Sequence, residues 1–242
     1  MQAQTSSPPR DIAQQFNTWW CYYGTFRIDT TWSVTVDAEF RRANGVSTWM
    51  QMLGRLSFNY ALSQDDVVAA GYVFSMAYPY GAQPIALAEP RPEHRLWEQI
   101  TLRDRRGRLE LFHRFRLEHR FLQAWTDVNP DTGLRQLADE FALEHRLRYR
   151  FLIAHPLASN EAGTTVLFAN LREEAFVNIG TPNFNVFEQN RIGLMLGWQF
   201  SSWLNVQVGY INQILFKANG RDAEMNHTLA IFFTSNLDFE TQ

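Results

Sequence analysis

The chain lacks most of what usually marks a function. It has one cysteine, Cys21, so no intrachain disulfide can form, and that thiol sits in an aromatic stretch where packing is its natural role. It has one lysine, Lys217, among 22 cationic residues. No apolar run approaches the roughly 18 residues of a membrane-spanning helix. There is no Gly-x-Ser-x-Gly elbow, no glycine-rich phosphate cradle and no pair of histidines at metal-ligand spacing. A net charge of -3 and a pI near 6.1 give no reason to expect nucleic acid, and there is no basic patch with nucleic-acid spacing. No cofactor, metal or nucleic-acid partner is therefore expected. Mean hydropathy is -0.31, but that value says little about a β-barrel, in which lipid-facing and lumen-facing residues average out.

Aromatics and arginine are abundant. There are 19 Phe, 8 Trp and 8 Tyr, and every cationic residue other than Lys217 is an arginine. A guanidinium suits a partly desolvated setting, because its planar fork pairs bidentately with carboxylates and is weakly hydrated. Period-two alternation dominates the chain. In 31–42, Trp32, Val34, Val36, Ala38 and Phe40 share one face and Ser33, Thr35, Asp37, Glu39 and Arg41 the other. In 48–62, Met50, Met52, Gly54, Leu56, Phe58 and Tyr60 oppose Gln51, Leu53, Arg55, Ser57 and Asn59. Such runs are about 10 to 15 residues long, beyond the roughly 5 to 6 usual in soluble strands and matched to the about 9 to 11 of a tilted membrane strand.

Strands are predicted at 16–27, 31–42, 48–62, 66–78, 94–103, 109–122, 144–155, 165–177, 187–200, 203–214 and 227–237. Short connections (28–30, 63–65, 104–108, 201–202) alternate with longer ones (79–93, 123–143, 215–226). This describes an all-β, antiparallel up-and-down transmembrane barrel with short periplasmic turns and longer extracellular loops. Single-chain bacterial barrels have an even number of strands, so eleven segments point to about 12 strands, within a range of 10–12. Residues 16–239 are read as one barrel domain. Residues 1–15, with Gln2-Ala3-Gln4 and a Ser/Pro-rich stretch to Pro9, are read as the flexible start of a mature exported chain.

The charged face is the informative one. Alternation places Arg114, Arg116, Glu118 and Arg120 together, and Arg146, Arg148 and Arg150 together on the next strand. Charge near the lipid midplane costs about 2 to 4 kcal/mol per residue, so these tracks are expected in the lumen. Arg55, Asp37, Glu39, Arg41, Arg172, Glu174 and Arg191 join them by parity, with Glu118 and Glu174 holding the arginines. Glu98 and Arg103 fall on opposite parities in 94–103, and Glu173 lands on the lipid face of 165–177; a bulge or an interfacial position is the expected reason. Trp19, Trp20, Trp32, Trp49, Tyr60, Tyr78, Trp198 and Trp203 are expected to form interfacial aromatic girdles. His113, His119 and His145 fall on the outward face, and no serine in 109–155 accompanies them, so no catalytic residue is assigned.

Together with Glu93-His94-Arg95-Leu96-Trp97-Glu98-Gln99, Asn170-Leu171-Arg172-Glu173-Glu174-Ala175-Phe176 and Phe187-Glu188-Gln189-Asn190-Arg191, these tracks resemble, in order and spacing, the family known as domain of unknown function 2490. The resemblance covers most of the chain and implies a Gram-negative outer-membrane β-barrel. The family has no settled activity. Three functional readings follow: a passive channel for small anionic solutes, a non-conducting barrel with a salt-bridged interior that anchors or assembles with envelope proteins through its loops, and an outer-membrane lipid hydrolase. The expected surroundings are bilayer lipid, including lipopolysaccharide.

Overall fold

The computed structural model describes residues 11–80, 89–126, 136–180, 185–217 and 222–239. The described residues form eleven strands and no helix: β1 (Ile12–Arg27), β2 (Trp32–Ala43), β3 (Thr48–Ala61), β4 (Val67–Ala77), β5 (Arg91–Arg106), β6 (Leu109–Trp125), β7 (Leu137–Ser159), β8 (Thr165–Ile179), β9 (Phe187–Gln199), β10 (Leu204–Phe216) and β11 (Ala223–Asp238). Each strand pairs antiparallel with its chain neighbour, and β1 closes the barrel against β11. That last pair is parallel, in unbroken register from Ile12 opposite Ala223 to Arg27 opposite Asp238. Parallel closure is what allows an odd count, so the twelfth strand that parity asked for is not needed. β1 starts at Ile12, inside the stretch read as a flexible terminus, and residues 1–10 lie outside the described residues.

Local chemistry sets the turns. The β1–β2 turn is held by Asp29, whose Oδ1 accepts from the backbone N–H groups of Thr31 and Trp32, both at 2.7 Å. At the β2–β3 turn, Asn44 and Gly45 both have positive φ (51° and 73°), the geometry that makes Asn-Gly a hairpin signal. The turns 28–31, 62–66, 107–108, 160–164 and 200–203 gather at one end of the barrel; the strand ends that flank 44–47, 78–90, 126–136, 180–186 and 217–222 are at the other.

Burial is inverted relative to a water-soluble protein. Leu56 (45% exposed), Phe58, Leu96, Leu171, Ile192 and Leu194 (60%) point outward, while Glu118 is 0% and Arg116 4% exposed. A contiguous apolar exterior of this extent is far larger than the patches a soluble monomer shows, and it matches solvation by hydrocarbon. Closure also leaves no edge strand among the described residues, as a bilayer demands.

Two expectations about orientation are corrected. Trp19 is 3% exposed and faces inward; adjacent residues of one strand take opposite faces, so Trp19 and Trp20 cannot share a girdle. Met50 is also inward, at 5% exposure, because β2 and β3 shift register between Arg41 and Arg42. The extra residue turns Trp49 outward, where its ring meets Tyr78 at 5.8 Å. Trp32, Trp49, Tyr60, Trp198 and Trp203 stand on the outside near strand ends, and Tyr78 is half-buried at the rim. Trp20 faces outward at mid-strand, opposite Phe40 and Ile231.

The inversion predicts an asymmetric response to charge. Leu194→Arg should lower unfolding stability in lipid vesicles by about 2–4 kcal/mol if it sits near the bilayer midplane, measured by denaturant titration. Gln207→Arg, on the inward face, should cost much less. Equal effects would contradict the assignment of faces.

Candidate functional site: the arginine-lined lumen

The barrel encloses a cavity of about 680 Å³. Its lining runs from Thr35, Asn59 and Thr234 at the short-turn end to Tyr80, Lys217 and Glu224 at the other. Asp37, Glu39, Arg41, Arg55, Arg114, Arg116, Arg120, Arg146, Arg148, Arg150, Arg172, Glu174 and Arg191 all line it, and Glu118 lies fully buried behind them. The wall is two-sided. Charge concentrates on β5 to β9, whereas Trp19, Cys21, Met195, Ile211, Ala230 and Phe232 form an apolar cluster from β9, β10, β11 and β1.

The guanidiniums and carboxylates form one alternating chain. Glu93 accepts from Arg95 (2.6 Å) and Arg120 (2.5 Å). Glu188 then joins Arg120 (3.2 Å) to Arg146 (2.8 Å). Glu118 takes Arg146 on one oxygen (2.5 Å) and Arg148 on the other (2.5 Å). Glu174 closes the series with Arg148 (2.7 Å) and Arg114. A second, smaller group on β2 and β3 pairs Asp37 with Arg55 and Glu39 with Arg41 (2.6 Å) and Arg55 (3.4 Å). Sharing Glu39, Glu93, Glu118, Glu174 and Glu188 each between guanidiniums is how so many buried cations are tolerated, since an unpaired buried charge costs several kcal/mol.

Four arginines stand outside this pairing. Arg116 donates to Gln99 (2.6 and 2.9 Å) and stacks on the Trp97 ring at 4.0 Å, with Glu118 only at 4.0 Å. Gly71 makes that stack possible: a Cβ there would collide with the Trp97 ring and the Leu56 carbonyl oxygen. Arg191 reaches Glu174 only at 3.8 Å. Arg172 donates to Asn170 (3.0 Å) and lies over Phe232 at 4.8 Å, without a carboxylate. Arg150 makes no hydrogen bond or ion pair among the described residues, and its Nε is buried without a partner.

Glu93, Arg95, Glu188 and Trp97 belong to this network and were not assigned to the lumen from the sequence. Alternation could have found them; β5 begins at Arg91, three residues before the predicted strand, so Glu93 was left in a loop. At the mouth, Tyr80 crosses from the β4–β5 connection to donate to Glu224 (2.5 Å), which also pairs with Lys217 (2.5 Å). Burial and the Glu224 carboxylate hold the Tyr80 phenol well above its ordinary pKa, so it remains a donor.

On the outer face, Glu98 sits beside His119 (3.2 Å), whose Nδ1 meets Nδ1 of His145 at 2.9 Å. Glu173 accepts from Asn190 (3.1 Å). Neither acid lies at a register shift; both face outward and are held by outward polar neighbours. Neither His119 nor His145 bonds a serine or cysteine among the described residues. No cluster of three or more His, Cys, Asp or Glu suited to a metal occurs among them.

Fold and site together define a closed β-barrel with an arginine-rich interior. The chain belongs to the family described as proteins of unknown function, DUF2490, whose pattern it matches over residues 16–224. Among solved structures it is similar to the NanC porin, at 10% identity and a TM-score of 0.46, over 86% of this chain and 93% of that one. No curated protein matches the chain.

The network predicts a sharp local cost. Glu118→Gln leaves Arg146 and Arg148 short of their shared counter-charge and should destabilise the barrel by about 3–5 kcal/mol. Glu173→Gln, on the outer face, should have a far smaller effect in the same unfolding assay.

Proposed function

We propose that the protein is a Gram-negative outer-membrane barrel that passes small anionic solutes passively through its lumen, with lipid, including lipopolysaccharide, against its apolar exterior. The observation that carries this reading is the imbalance of charge: at mid-lumen the carboxylates Asp37, Glu39, Glu93, Glu118 and Glu174 are each engaged by guanidiniums, whereas Arg150 and Arg172 have no carboxylate partner among the described residues. A positive excess inside low-dielectric walls focuses potential and raises the local concentration of anions. Rings of arginine are a known means of anion selection in pores. The cavity's lining, which extends toward both ends, supports a path for solutes.

A second reading has its own support. The Arg–Glu chain links β5 through β9, and Tyr80 lies across one mouth, which also suits a barrel that conducts nothing and serves assembly. The loops it would use, 79–93 and 123–143, lie partly outside the described residues.

Planar-bilayer recording separates the two. The channel reading predicts single-channel current with a reversal potential favouring anions, shifted toward cations by Arg150→Glu with Arg172→Glu. Tyr80→Ala should raise conductance and leave selectivity in place. A folded, SDS-resistant barrel that carries no current at any voltage would overturn the channel, and an unchanged reversal potential would remove these arginines from the path.

A further inference from the structure

Arg114 on β6 is directly opposite Arg150 on β7, and Arg150 is in turn opposite Glu174 on β8. Directly opposed side chains lie about 4.5–5.5 Å apart, and like charges so placed are destabilising. Glu174 makes no ion pair with Arg150, because its Oε1 is taken by Arg114 and Arg148. Arg172, two residues before Glu174 on the same face, adds a further cation. Each of these arginines lies near the middle of its strand or within a few residues of it. The Nε–H groups of Arg114, Arg150 and Arg172 are all buried without an acceptor. Three buried donors on neighbouring strands, all cationic and all unfilled, are an unusual thing for a fold to keep: leaving a buried charged donor unsatisfied carries its full desolvation cost.

We propose that the mid-lumen holds a discrete site for an oxyanion carrying two negative charges, seated between Arg150 and Arg172 with Arg114 beside them. The proposal deepens the anion-path reading and rests on it in one respect only, that the site is reached from water. The fork of a guanidinium matches a pair of oxygens, so carboxylate, phosphate and sulfate groups fit where a spherical halide satisfies fewer donors. Two charges match the two arginines that lack a carboxylate. Arg172 is already positioned for this role by Asn170 and by the face of Phe232. The apolar cluster containing Phe232, Ile211 and Cys21 contributes no carboxylate to compete for the arginines. Glu174, by binding Arg114 through Nη2, leaves the Arg114 Nε edge free.

Calorimetric titration of the detergent-solubilised barrel with sulfate, inorganic phosphate or succinate, in a buffer low in chloride, tests the site without requiring conduction. Saturable one-site binding is expected for at least one of the three, with chloride weaker. Tetrahedral anions alone, or succinate alone, would each support the site and identify the group it takes. Arg150→Gln and Arg172→Gln should each weaken binding by at least about tenfold, the scale of one charge-assisted hydrogen bond. Arg106→Gln, at the exposed short-turn end, should bind as the wild type does. Heat-modifiable migration on gels checks that each variant is folded. The proposal is overturned if the folded barrel binds none of the three anions saturably, or if both lumen variants bind as tightly as wild type. A barrel that binds sulfate but carries no current keeps the site and loses the channel; one that conducts anions without saturable binding does the reverse.

Discussion

A charged side chain on a closed sheet in hydrocarbon has one place to go, and the organisation of this barrel follows from it. Strand alternation sends every second residue inward, and once the sheet closes, the inward residues can reach only one another and the water that enters. Guanidiniums there must find counter-charge across the lumen or from neighbouring strands. The alternating series from Arg95 through Glu93, Arg120, Glu188, Arg146, Glu118, Arg148 and Glu174 to Arg114 is the outcome. Each carboxylate bridges two arginines, and the planar fork of arginine is what lets one group do this at several distances and angles. A lysine, as a compact and strongly hydrated charge, would satisfy fewer partners and be harder to desolvate. The near-absence of lysine from the chain is consistent with that requirement.

The lumen is polarised by the same constraint. Its charged wall spans β5 to β9, while the opposing wall is built from Trp19, Cys21, Ile211, Ala230 and Phe232 with Met195. Rings from both sides hold guanidiniums in place: Arg41 lies over Trp19 at 4.1 Å, Arg116 over Trp97 at 4.0 Å and Arg148 over Phe176 at 4.5 Å. These contacts orient cations without neutralising them. The result is an interior that retains positive charge on Arg150 and Arg172, which flank Glu174 without pairing with it.

Much of this was legible in the sequence, because alternation over long runs reports directly which face a residue takes. Arg114, Arg116, Glu118, Arg146, Arg148 and Glu174 are placed together by parity alone. What parity could not supply falls into two kinds. Where strand ends were set too short, as at Glu93, or where a bulge shifts the count, as at Met50 and Trp49, the local pattern carries no warning. The parallel closure of β1 on β11 joins segments more than 200 residues apart, and no nearby residue signals the direction of that pairing. Glu98 and Glu173 looked like irregularities because their partners, His119 and Asn190, are on other strands.

The central claim is that the barrel is inverted, with a cationic lumen and an apolar exterior. The most direct measurement is the reactivity of single cysteines at alternating positions in a Cys21→Ser background, introduced at Ser57, Gln207 and Thr234 and, one residue away, at Phe58, Val206 and Phe233, in membranes. The inward positions should react with a negatively charged thiol reagent faster than with a positively charged one, and the outward positions should react with neither. Reaction at the outward set, or an inward set that favours the cationic reagent, would contradict the account.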